Sequence, residues 1–158
     1  MNSETGITLR RYLAADRAAV LDLSVTGPQA AFVEPMAETL STTALQRDNF
    51  VIAADDGVVG FFQIDCSSGA QRIANSLELH EVLVDASHQG KGYGKAFVFA
   101  LKDFLRREYP VWDDVCLTVN CKNMGAYRLY ELGGFTDTGE LYLEGRSGPQ
   151  HVMRLALS

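Results

Sequence analysis

Apolar and polar positions alternate with period two over 6–12 (GITLRRY), the pattern of a first strand. Asp16 then stands where a helix cap belongs, and Val20, Leu21 and Ser24 share related faces of a helix from Arg17 to about Val25. Gly27-Pro28 ends that helix. Pro28 suits the first turn of a short helix through Phe32, Pro35 interrupts, and Met36, Leu40 and Leu45 mark a helical piece from Met36 to Arg47. Phe50 to Ala54 and Val58 to Cys66 are apolar strands flanking Asp56-Gly57, a strong hairpin signal. A polar loop, 67–75, leads into the apolar strand 77–84 (LELHEVLV). Helical spacing resumes at Phe97, Leu101, Phe104 and Leu105, and Pro110 closes that region. Val115 to Val119 is a short strand. Asn123 caps a helix carrying Ala126, Leu129, Tyr130 and Leu132, and Gly133-Gly134 stops it. Phe135 to Leu143 and His151 to Leu157 are the last strands, joined by a turn over 145–149.

The resulting order, β-α-α-β-β-β-α-β-α-β-β, begins with hairpin pairing and continues with helical crossovers. It predicts an α/β domain over 1–158, with a mixed sheet of about seven strands flanked by about four helices. A length of 158 residues suits one domain with a sizeable core, and 47% hydrophobic with 22% charged residues is ordinary for a globular protein. The formal charge of −6 argues against a nucleic-acid partner. No apolar run approaches a membrane span, and MNSETGITLRR lacks a signal-peptide core. The three cysteines, Cys66, Cys116 and Cys121, are an odd count without metal spacing and read as reduced thiols in or beside strands; no metal site and a cytoplasmic location are expected.

Chemistry concentrates after strand 77–84. The turn Gln89-Gly90-Lys91-Gly92-Tyr93-Gly94-Lys95 opens the next helix, whose first amides lack internal partners and carry the positive end of the helix dipole. Glycines let a phosphate approach the backbone, and Lys91 and Lys95 add positive charge. The G-x-G-x-G spacing, deep in the chain, does not fit the dinucleotide fingerprint, and the Walker pattern is absent. What remains, Gln89-x-x-Gly92-x-Gly94 after a strand, is similar to the pyrophosphate loop of the GNAT family of acetyl-coenzyme A dependent N-acetyltransferases. Asn123-x-x-Ala126-x-x-Leu129-Tyr130-x-x-x-Gly134-Phe135 resembles that family's second cofactor-binding segment.

The resemblance covers essentially the whole chain, with its specific residues between Leu77 and Phe135. It implies acetyl-coenzyme A as cofactor, entering between two splayed strands: the one before the loop and the one after its helix. Residues 89–95 would hold the pyrophosphate. Backbone amides of Val82, Leu83 and Val84 would bond the pantetheine and polarise the thioester carbonyl. Asn123 either bonds the pantetheine or caps its helix. Tyr130 is either a core tyrosine or the donor of a proton to the departing thiolate, the role a tyrosine at the matching position often has in the family.

Transfer also needs a base for the amine. Glu78 and His80 match positions where relatives carry a catalytic carboxylate, and Glu81 is adjacent. His80 suits the task because an ordinary imidazole is largely neutral near pH 7, although a merely bonded strand histidine fits as well. Strict alternation places Glu78, His80, Val82 and Val84 on one face and Leu77, Leu79, Glu81 and Leu83 on the other; a bulge would change this. His88 and Lys91 read as loop-surface residues outside the chemistry, and His151 receives no role.

The function expected is direct acetyl transfer to a primary amine of a small cationic molecule. Gln29 to Pro35 resembles the matching segment of bacterial diamine and spermidine/spermine N-acetyltransferases. The alternatives are a protein- or peptide-directed acetyltransferase and a catalytically inactive acyl-coenzyme A sensor. Thr118, where ribosomal-type N-terminal acetyltransferases often carry a glutamate, counts against the protein-directed alternative. Monomer and homodimer both stay open.

Overall fold

A computed structural model describes residues 6–23, 47–55, 57–66, 75–85, 90, 92–145 and 147–158. The helices expected at 28–32 and over most of 36–47, and the segment 29–35, lie outside them, as do Asp56, His88, Gln89 and Lys91.

The strands are β1 (Thr8–Arg11), β2 (Arg47–Ala54), β3 (Gly57–Asp65), β4 (Ser76–Val84), β5 (Asp114–Asn120), β6 (Thr136–Tyr142) and β7 (Gln150–Ala156). The α-helices among the described residues are α1 (Arg17–Leu21), α2 (Tyr93–Glu108) and α3 (Met124–Leu132), three where about four were expected. The strands make one mixed sheet in the order β1-β2-β3-β4-β5-β7-β6. Every neighbouring pair is antiparallel except β4 and β5.

The two sheet faces differ. On the face under α2 and α3, Phe50, Phe62, Leu77, Leu79, Val115, Leu117, Met153 and Leu155 join Phe97, Leu101 and Phe104 in the main core. Phe62 lies 5.1 Å from Phe50 and 4.9 Å from Phe97, centroid to centroid, contacts worth about 0.5–1.5 kcal/mol each beyond their buried area. On the opposite face a smaller cluster, Val20, Leu23, Val51, Phe61 and Leu83, packs α1 onto β2, β3 and β4.

Asp16 plays a different part from the helix cap expected of it. Its carboxylate turns back, accepting Leu13 N–H at 2.8 Å and two Arg10 donors at 2.8 and 3.0 Å. This ties the 3₁₀ turn Ala14–Asp16 to β1 and sets the path of α1. The second correction is at Arg47, which begins β2 where the helical pattern was expected to end. The third concerns β4. Phe61 pairs with Leu83 but Gln63 pairs with His80, so Glu81 and Val82 together oppose Phe62. Glu81 takes φ 54°, a left-handed conformation uncommon outside glycine. Strict alternation therefore fails after His80. Leu83 joins the α1 cluster, while Val82 and Val84 pack on the main core.

Candidate active site

β4 and β5 pair only at Ser76↔Asp114, Leu77↔Val115 and Glu78↔Cys116. Beyond that rung β4 stays with β3 to Val84, and β5 stays with β7 to Asn120. The sheet thus opens into a V with its vertex at Glu78. The bulge Glu81-Val82 lies along the open edge, so strand groups that would normally bond a neighbour face the gap there.

At the wide end, α2 starts from Gly92, whose φ of 85° is left-handed, two residues after Gly90 at φ 86°. The first turn of α2 carries no acidic side chain and includes Lys95. A helix start ordinarily favours acids, so a first turn without them suits a bound anion. Gly94 also has a packing reason, since a Cβ there would lie 3.2 Å from Leu129 Cδ2 on α3. Lys95 Nζ lies 6.0 Å from the centroid of the exposed Phe99 ring.

α3 follows β5 in the chain and packs against it and α2. Asn123 Oδ1 accepts Ala126 N–H at 3.3 Å, so its side chain caps the helix. Tyr130 is buried, with its ring 5.6 Å from that of Phe135. Burial alone pushes its phenol up and no bonded partner contributes, which keeps the hydroxyl protonated through the neutral range. Asn120 pins the turn before α3 by donating to Ser147 O and accepting Lys122 N–H, both at 2.9 Å.

The vertex is polar on the α1 side. Across β2, β3 and β4 the register aligns Arg47 with Asp65 and Glu78, and Asn49 with Gln63 and His80. Gln63, Asp65 and Glu78 are buried. Arg47 Nη1 donates to Gln63 Oε1 at 3.2 Å, and Gln63 Nε2 donates to Asn49 Oδ1 at 2.9 Å. Arg47 Nε lies 4.0 Å from Asp65, and His80 Nε2 lies 3.2 Å from Glu78 Oε1. Of the expected bases, Glu78 and His80 share this face, while Glu81 belongs to the bulge. Sequence reading missed Arg47, Asn49, Gln63 and Asp65. For Gln63 and Asp65 the signal is the recurrence of polar residues at i, i+2 in an otherwise apolar strand; Arg47 and Asn49 stand in a polar run before the apolar part of β2 and carry no such signal. Among the described residues no His, Cys, Asp and Glu group could hold a metal ion, and Cys66, Cys116 and Cys121 are free thiols.

A split mixed sheet, a glycine-led helix start at the open end and a polar vertex are the features that set this candidate site apart from the rest of the fold. Comparison with known proteins gives the fold its family. The acetyltransferase (GNAT) domain model matches residues 46–137. The uncharacterized N-acetyltransferase YbbJ of Bacillus subtilis (strain 168) is 30% identical over 155 residues, covering 93% of this chain and 95% of YbbJ. The fold is shared with spermidine N-acetyltransferase from Vibrio cholerae in complex with CoA and spermine, at TM-score 0.71, 21% identity and 96% and 95% coverage of the two chains. It is likewise shared with the aminoglycoside acetyltransferase AAC(6')-Ib in complex with coenzyme A, at TM-score 0.76, 20% identity and 96% and 95% coverage. The chain belongs to the GNAT family of N-acetyltransferases, with acetyl-coenzyme A as its cosubstrate. No helix among the described residues is long and apolar enough to cross a membrane.

Proposed function

We propose that this protein acetylates a primary amine of a small cationic molecule by direct transfer, with the donor in the V and the acceptor on the α1 side of its vertex. The observation that carries the acceptor side is the buried polar strip on that face, where Asp65 and Glu78 stand directly opposite each other across β3 and β4. Like charges facing each other on neighbouring strands are unfavourable; Arg47 beside Asp65 offsets one of the two carboxylates, and a further cation at the strip is favoured. A protonated amine is such a cation. Support of a second kind comes from the fold neighbours, whose crystals hold spermine in one case and kanamycin in another.

Bound acetyl-coenzyme A supplies the activated acyl group. The chain's part is to hold and orient. The α2 amides with Gly90, Gly92 and Lys95 hold the pyrophosphate end, joined by Gln89, Lys91, Tyr93 and Gly94. Amides of Val82, Leu83 and Val84 orient the thioester end at the bulge. Tyr130 Oη holds a proton for the thiolate that departs. Glu78 and His80 take the proton that the acceptor must lose, since an alkylammonium with a pKa of about 10.4 is almost wholly charged at neutral pH.

The test is an acceptor screen that follows free coenzyme A with diamines, polyamines, aminoglycosides, amino acids and short peptides under one condition. Polyamines or aminoglycosides should react best. Good turnover of peptide N-termini or acidic amino acids without polyamine turnover assigns a protein- or amino-acid-directed enzyme, and cofactor binding without turnover of any amine assigns a sensor.

A further inference from the structure

We propose that Glu78 and His80 act as a dyad in which His80 Nδ1 is the base and Glu78 is a positioning residue that never meets the acceptor. This rests on the acetyltransferase reading and divides the labour within its site. The two side chains lie on the same face of β4, two residues apart, with His80 Nε2 3.2 Å from Glu78 Oε1. Their access differs: the side chain of Glu78 is 4% exposed and that of His80 is 21% exposed. Glu78 sits on the last rung shared by β4 and β5, walled by Asp65 and Cys116. His80 is the first residue of this face past that rung, where the sheet has begun to part. An amine can therefore reach His80 and not Glu78.

The surroundings assign the ring nitrogens. Gln63, directly opposite His80, is turned toward β2 through its bonds with Arg47 and Asn49. The anionic group beside Nε2 is Glu78, with Oε1 at 3.2 Å, and a nearby carboxylate favours the proton on the ring nitrogen that faces it. Nε2–H thus faces the carboxylate, off the axis of a full hydrogen bond, and Nδ1 keeps its lone pair. The step is a proton transfer. An N–H bond of the acceptor ammonium breaks, its electron pair stays on the amine nitrogen, and Nδ1–H forms. The imidazolium so made is held by Glu78. The other charged groups facing the pair are Asp65 on β3 and Arg47 on β2. Glu81 follows His80 on β4 at the bulge and is a further acidic group on that strand.

Two measurements test the dyad, one of them independent of turnover. In ¹⁵N-labelled protein, at a pH where the ring is neutral and with signals assigned through His80→Gln, two-bond proton–nitrogen spectra should show His80 with a protonated Nε2 and a bare Nδ1. A protonated Nδ1 with a bare Nε2 overturns the proposal. Turnover is then followed with spermidine and acetyl-coenzyme A. His80→Ala should lower kcat by about 10²-fold or more, Glu78→Gln by roughly tenfold, and the double variant should match His80→Ala, because Glu78 acts only through His80. If Glu78→Gln multiplies the loss in the His80→Ala background, or costs more than His80→Ala alone, Glu78 is itself the base and the proposal fails. If the wild type does not acetylate spermidine, the cationic-acceptor reading fails, and a protonated Nδ1 still overturns the dyad.

Discussion

Two residues carry most of what single substitutions can reveal. Tyr130 is packed on Phe135 and desolvated, so Tyr130→Phe keeps the ring contact and removes only the hydroxyl. If that hydroxyl supplies a proton, kcat should drop by about 10²-fold or more while the calorimetric affinity for acetyl-coenzyme A stays nearly constant. An unchanged kcat with chemistry limiting would assign the proton to another group. Asp16 is the structural counterpart. The Arg10 guanidinium holds its carboxyl below the usual carboxylate range, helped by the Leu13 amide. A depressed folded-state value gives stability that is present above about pH 4 and is lost as pH falls through the folded value. Asp16→Asn should therefore cost ~1–2 kcal/mol at pH 7, allowing for the partial exposure of Arg10, and the gap from wild type should narrow toward pH 3. Denaturation midpoints at the two pH values measure this. The acidic residue before α1 was visible in the sequence. Its actual partners were not, because a carboxylate that turns back to a strand has the same spacing as one that caps forward.

At the scale of elements, the strands and crossover helices were legible because their apolar spacing has only one solution. α2 needs Phe97, Leu101 and Phe104 inward, and all three are buried in the main core. The bulge in β4 was not legible for a physical reason. Val82, Leu83 and Val84 are all apolar, so a one-residue slip leaves an apolar side chain on each face and the alternation carries no register. The polar strip of β2 and β3 was hidden similarly, since Arg47 and Asn49 precede the apolar run and look like flanking loop. The turn before α2 makes its own prediction. Gly92 holds φ 85° at the helix start, which a β-branched side chain reaches only with strain of about 1–3 kcal/mol. Gly92→Val should weaken acetyl-coenzyme A severely, through both the altered turn and the Cβ introduced beside the α2 amides. Equal affinities for the variant and the wild type by calorimetry would remove the pyrophosphate assignment.

Over the whole molecule, the sheet separates stability from chemistry. Its α2–α3 face is a closed aromatic and aliphatic core, and its α1 face turns from apolar over β2–β4 to polar at the vertex of the V. Polar side chains buried on a strand face cost free energy that apolar ones would not, and their concentration beside the gap supports our proposal that a second substrate is recognised there. The formal charge of −6 extends the same logic to long range, since an acidic protein draws cations toward it. That attraction scales with the acceptor's charge and is screened over about 8–10 Å at physiological ionic strength. Raising salt should therefore lower kcat/KM more steeply for spermidine than for an alkylamine with one ammonium. Measured at saturating acetyl-coenzyme A, the comparison leaves the cofactor's own charge out of the ratio. Equal slopes for the two amines would show that the acceptor is captured by local contacts at the vertex alone, without help from the field of the whole chain.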